Sequence, residues 1–106
     1  MTWLPLTSLE GLDNLVQQSF KEQVAVFKHS TRCSISRMIK DRVERGAPTQ
    51  HMPVYYLDLL EYREISNSIA VRFNVQHESP QLLVLRNGVC TAHGSHNSVQ
   101  PEMLGI

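Results

Sequence analysis

The chain is short of cysteine, short of aromatic residues and without net charge, and each shortage excludes something. Two cysteines in 106 residues cannot build the disulfide framework of a small secreted scaffold. Lys and Arg number 10 against 10 Asp and Glu, scattered along the chain, so no basic footprint for nucleic acid is present. No apolar run approaches the roughly 20 residues that a membrane-spanning helix needs. The opening Trp3-Leu4-Pro5-Leu6 lacks a basic region followed by a long apolar run, so no export signal is read there. The expected setting is the cytoplasm, with neither membrane nor nucleic acid as a partner. In a reducing compartment a lone exposed cysteine is more often catalytic than structural. There is no repeat, low-complexity segment or linker, and residues 1–106 read as a single domain large enough for one core.

What is there is organised around residues 24–43. Val24-Ala25-Val26-Phe27 is an unbroken apolar run, the mark of a strand buried on both faces. Ile35, Met38, Ile39 and Val43 then recur at helical spacing and predict one apolar helix face. A strand running straight into a helix puts Cys33 at the helix's first turn, where unpaired backbone N–H groups point at the sulfur. That dipole, with Arg32 beside it, favours thiolate over thiol and makes Cys33 a candidate nucleophile. Immediately after Ser34-Ile35 stands Ser36, a hydroxyl where a Cys-X-X-Cys motif would carry a second thiol. A hydroxyl cannot close a disulfide, so exchange stops at a mixed disulfide until an outside thiol resolves it.

Elsewhere the pattern alternates. Pro5 confines any strand at residues 3–6 to an edge or an early end. Thr7 and Glu10 match a capping box ahead of a helix over about Ser8 to Ser19, carried by Leu9, Leu12, Leu15, Val16 and Phe20. The second helix stops near Arg45-Gly46, ahead of Ala47-Pro48, and residues 47–52 read as a loop. Residues 53–60 read as a second buried strand, and Tyr62 to Phe73 as a helix with Asn74 as a left-handed terminator. Leu82 to Leu85 reads as a core strand. Asn87-Gly88 is the strongest hairpin signal and joins it to residues 89–93. A turn of helix is admissible in the tail from Asn97 to Ile106. Right-handed crossovers lay the early strands parallel, and the hairpin adds an antiparallel pair. The expected fold class is α/β, a thioredoxin-like fold with a mixed central sheet and helices on both faces.

The sequence resembles the YtxJ-like family of monothiol bacilliredoxins within the thioredoxin-like superfamily. The resemblance rests on Lys28-His29-Ser30-Thr31-Arg32-Cys33 with Ile35-Ser36, on Tyr56-Leu57-Asp58 with Glu61-Tyr62-Arg63, and on Ser66-Asn67. It continues through His77-Glu78-Ser79-Pro80-Gln81, Arg86-Asn87-Gly88 and His93 to His96, covering most of the chain from Val24 onward. Ser34 departs from the family, which usually has Pro there; Pro preorganises a helix's first position, so Ser34 tunes the turn without removing the nucleophile. The resemblance implies removal of bacillithiol, a low-molecular-weight thiol, from S-bacillithiolated proteins, with bacillithiol as co-substrate and no bound cofactor. It also implies a cis peptide at Pro80, with the Ser79 backbone facing the cysteine and pairing with substrate; an ordinary trans turn is the alternative.

Candidate substrate contacts are therefore Thr31, Arg32, Ser34, Ser36, Ser79 and Pro80. Arg32 reads equally as an anchor for an anionic group of the small thiol or as a solvated surface residue. Thr31 is a candidate helix cap, and Ser36 a candidate hydrogen-bond donor to the thiolate. His29 and His77 read as supporting groups near the site or as polar filler. Cys90, His93 and His96 tempt a metal reading, but strand alternation sends Cys90 and His93 to opposite faces, so no metal site is expected. Cys90 reads as a small core residue, with its reach to Cys33 open. The competing function is a non-catalytic thioredoxin-like adaptor or an iron–sulfur carrier; the carrier is weakened because Gly-Phe does not follow Cys33.

Overall fold

The computed structural model describes residues 1–46 and 51–105. Its elements run β1 (Trp3–Pro5), α1 (Leu9–Gln18), β2 (Val24–His29), α2 (Ser34–Gly46) and β3 (Val54–Asp58). They continue with α3 (Arg63–Phe73), β4 (Gln81–Arg86) and β5 (Val89–Ser95), then 3-10 turns at His96–Ser98 and Pro101–Leu104. The five strands form one mixed sheet in the order β1-β3-β2-β4-β5. β1, β3 and β2 are parallel, while β4 and β5 are antiparallel additions. This is the α/β arrangement that the alternating pattern predicts. Of the loop expected over 47–52, residues 47–50 lie outside the described residues, as does Ile106.

β2 lies at the centre because all six of its residues are buried and both its edges are paired. The apolar run marked only Val24 to Phe27; the strand continues through Lys28 and His29. Alternation sends Val24 and Val26 to one face, where α1 and α3 bring Leu12, Leu15, Ile65 and Ile69. Ala25 and Phe27 face the other side, against Ile39 and Val43 of α2 and Val99 and Leu104 of the tail. Helices thus cover both faces of a sheet whose central strand has no polar side.

Several local expectations shift by a residue or a face. The cap of α1 is Ser8 and not Thr7: Ser8 Oγ accepts the Gly11 N–H at 2.9 Å. The buried face of α2 is Ser36, Ile39 and Val43, while Ile35 and Met38 stay 51% and 52% exposed. They sit one position round the helix from the stripe that the sheet covers. The tyrosine pair of β3 is half-buried, with Tyr55 Oη donating to Gln18 Oε1 at 2.6 Å. Asn74 does terminate α3, at φ 53°.

The β4–β5 hairpin turns at Asn87 (φ 54°) and Gly88 (φ 78°). A Cβ on Gly88 would lie 2.8 Å from the Phe20 ring, and the left-handed backbone already disfavours any side chain there. The Asn87 and Gly88 N–H groups both bond Ser19, tying the turn to the end of α1. We expect Gly88→Ala to cost about 1–3 kcal/mol, a fall of several degrees in the thermal midpoint. Thermal unfolding followed by circular dichroism checks this; an unchanged midpoint means the turn relaxes freely.

Candidate functional site

The site forms where β2 hands the chain to α2. Cys33 directly precedes the helix, and its carbonyl accepts the Arg37 N–H at 3.1 Å, the first bond of the helical ladder. Its own N–H donates to Ser30 O at 3.2 Å, closing a tight turn over residues 30–33. Cys33 therefore holds the capping position that Thr31 was expected to fill. The first N–H groups of a helix lack intrahelical partners, and α2 has no acidic residue in its first turn to compete for them. The sulfur is partly accessible. Ser34, the first helical residue, is exposed and keeps an N–H that proline would lack.

Thr31 and Arg32 lie exposed in the turn, and the Thr31 carbonyl accepts from Arg37 Nη1 at 3.3 Å. The Ser79-Pro80 peptide is cis, with Pro80 buried. The register places it: Lys28 pairs with Gln81, so Pro80 stands one residue beyond the ladder, at the end of the sheet where β2 runs toward Cys33. The Ser79 hydroxyl is shielded from solvent without a hydrogen-bond partner among the described residues.

Ser36 does not line the surface where a substrate contact was expected. It is fully buried, its Oγ lies 2.7 Å from His29 Nδ1, and it accepts the Ser30 N–H at 3.1 Å. Its hydroxyl is thus engaged with β2 and the turn, away from a surface contact with substrate. His29 is 4% exposed and stacks with Phe27 and Tyr56 at centroid distances of 6.0 and 5.5 Å. Burial pushes its basicity down, Lys40 and Arg37 push the same way, and Asp58 opposes them. Lys40 itself lies 5.2 Å from the Trp3 ring and pairs with Glu44 at 2.6 Å, fixing α2 against β1.

The two histidines left open by the sequence separate by face. His77 belongs to the opposite side of the sheet, where its Nδ1 is 3.1 Å from Lys28 Nζ and 3.2 Å from Ser66 Oγ. Lys28 is fully buried, and burial lowers its amine from 10.5 to about 8. Nothing in the local pattern marked this lysine, because a charge after an apolar run reads as the end of a strand. Beside it Gln81 donates to Gln76 O and Ser95 Oγ.

Cys90 is far from Cys33. It pairs with Leu85, which pairs with Val24, at the end of β2 away from the site. The five steps from Val24 to His29 span about 16 Å at strand rise, well beyond disulfide reach. Burial pushes the Cys90 thiol up, and its S–H donates to Ala92 O at 3.3 Å. An irregularity between Val84 and Leu85 sets Cys90 opposite Leu85 and His93 opposite Leu83. Those partners share a face of β4, so the opposite faces that simple alternation predicts for Cys90 and His93 are not observed. Among the described residues no cluster of three or more His, Cys, Asp or Glu gathers. Nor is any helix there long and apolar enough to cross a membrane.

A mixed sheet, a cysteine at the head of the helix after its central strand and a cis-proline at the same end define a thioredoxin-fold thiol–disulfide oxidoreductase. Solved structures agree. One described as a candidate oxidoreductase with a thioredoxin fold is 29% identical, with TM-score 0.84, over 96% of this chain and 89% of that one. Oxidised thioredoxin from Plasmodium falciparum superposes with TM-score 0.74 at 19% identity, over 97% of this chain and 94% of its own. Malassezia sympodialis thioredoxin gives 0.75 at 16% identity, over 98% and 85%; these two show the fold alone. Residues 4–104 match the family of monothiol bacilliredoxin BrxC, and the chain belongs to that family.

The Lys28 amine yields a prediction about stability. Between about 8 and 10.5 the unfolded chain holds a proton that the folded chain has released, so stability rises with pH across that window. Below it both states are charged and the full burial penalty stands; above it the penalty is gone. We expect Lys28→Met to be more stable than the unchanged protein at pH 7, on the order of 2 kcal/mol. That gap should shrink toward pH 10.5. Urea unfolding at pH 7 and pH 10 reads both; a gap independent of pH would assign the gain to packing.

Proposed function

We propose that this protein removes bacillithiol from S-bacillithiolated proteins in the cytoplasm through a mixed disulfide on Cys33. One observation carries the reading: Cys33 heads α2 alone, with Ser36 one turn on and Cys90 at the far end of the sheet. Such a site can accept a thiol but cannot expel it by itself. The Cys33 thiolate attacks the small-thiol sulfur of the protein's mixed disulfide. A Cys33–bacillithiol disulfide forms and the protein leaves as its own thiolate. A second bacillithiol thiolate then attacks that adduct, regenerating Cys33 and leaving oxidised bacillithiol.

Family membership supports the choice of small thiol. Exposed Thr31 and Arg32 stand beside the sulfur, and Arg32 suits a carboxylate-bearing carrier. The backbone at Ser79, before the cis-proline, is the surface on which an extended substrate segment would pair. Exposed Ile35 and Met38 offer apolar contact to a protein substrate. Cys33 lines neither the open groove of about 510 Å³ along the outer side of α2 nor the one of about 310 Å³ between the starts of α1 and α3. A partly accessible sulfur outside either groove suits a substrate as large as a protein.

Cys33→Ser should abolish turnover, whereas Cys90→Ser should keep most of it. Equal loss in both folded variants would place Cys90 in the chemistry. With a bacillithiolated protein as donor, intact-mass measurement should show a bacillithiol adduct on Cys33, forming faster than a glutathione adduct from an equivalent donor. Equal rates would reduce the reading to a generic monothiol exchanger. No transfer from either donor would favour a non-catalytic module.

A further inference from the structure

Ser36 stands where a second thiol would stand, yet its hydroxyl is held from behind. Ser30 N–H occupies one lone pair at 3.1 Å, and His29 Nδ1 lies at 2.7 Å. A hydroxyl has one proton and two lone pairs, so one proton and one lone pair remain to be shared between His29 and whatever lies in front. If Nδ1 is bare, it takes the Ser36 proton and leaves a lone pair facing the head of α2. If Nδ1 carries a proton, in the imidazolium or in the Nδ1–H tautomer of the neutral ring, it fills that lone pair and frees the Ser36 proton to point forward. The residue one helical turn earlier, at the capping position, is Cys33; a capping side chain characteristically folds over the first turn of its helix.

We propose that His29, acting through Ser36, is a positioning residue for the Cys33 sulfur. With a proton on Nδ1 the Ser36 hydroxyl donates to the thiolate; with Nδ1 bare it accepts from the thiol. The inference rests on Cys33 being the nucleophile proposed above. It makes Ser36 more than the absence of a cysteine: the hydroxyl becomes a relay whose direction a buried imidazole sets. The charged and titratable groups facing His29 are Lys40 and Arg37 from α2 and Asp58 and Tyr56 from β3. The two cations and burial disfavour imidazolium and Asp58 favours it, so one more negative charge at Cys33 shifts the balance. By reciprocity, the state of the sulfur must also change the ionisation of His29.

The test measures iodoacetamide alkylation of Cys33 against pH in a Cys90→Ser background. Ser36→Ala should slow alkylation near neutral pH by about tenfold, the worth of one hydrogen bond to a charged group. His29→Asn keeps an amide near Ser36 but cannot titrate, so it should remove one ionisation step from the profile. Combining the two should be no worse than Ser36→Ala alone; additive losses would overturn the relay. A second measurement needs neither His29 nor Ser36 changed: nitrogen NMR of the His29 ring, titrated before and after Cys33 is capped. A shifted titration supports the coupling, and an unshifted one overturns it. If Cys33 alkylates no faster than in the unfolded chain, the reading of Cys33 as nucleophile fails. Fast alkylation that ignores Ser36 defeats the relay alone.

Discussion

Everything in this protein depends on β2 being buried on both faces and hydrogen-bonded along both edges. Such a strand cannot turn away from its neighbours, so the point where it ends is among the best-determined positions in the molecule. The chain leaves it through a four-residue turn closed by Cys33 N–H on Ser30 O and enters α2 at once. Cys33 is thereby placed on a junction that the core holds still. Two further consequences come from the same strand. Its antiparallel partner β4 must begin at that end, which puts the cis-proline at the same end of the sheet as Cys33, and its alternation assigns Lys28 and His29 to opposite faces.

That alternation divides two polar arrangements that look like one motif in the chain. Lys28, Ser66 and His77 lie on the α1/α3 side, where a buried amine is a burden that the packing carries. His29 and Ser36 lie on the α2 side, behind the turn that leads to Cys33. A one-residue difference in position decides which side of the sheet a polar group joins, because the sheet separates the two sides completely. The surroundings of α2 follow from this placement. Lys40 spans Trp3 and Tyr56, which pins the helix to the sheet edge while adding positive charge near His29.

Much of the fold was legible because periodicity and turn chemistry are local. The order of elements, the Asn87-Gly88 hairpin, the Asn74 terminator and the junction at Cys33 all follow from neighbouring residues. The misreadings have a common physical source. Ser8 displaced Thr7 as a cap because the two hydroxyls sit side by side, and only the direction of chain entry chooses between them. Ile35 and Met38 fell outside the buried stripe because a helix face about 100° wide admits several phasings, and the sheet selects one. Cys90 and His93 face alike because the irregularity opposite Val84 and Leu85 resets the alternation, and no local signal announces it.

The sequence by itself determined a cysteine at the junction of strand and helix, the absence of a second thiol three residues on, and the alternation that yields a mixed sheet. It did so because each of these is a matter of residue type and short spacing. Only the tertiary structure decided that Lys28 is buried, that His29 and not His77 meets Ser36, and that Cys90 lies at the wrong end of the sheet to assist. Those outcomes depend on register between strands and on which helix covers which face, and both are set by packing over long separations along the chain.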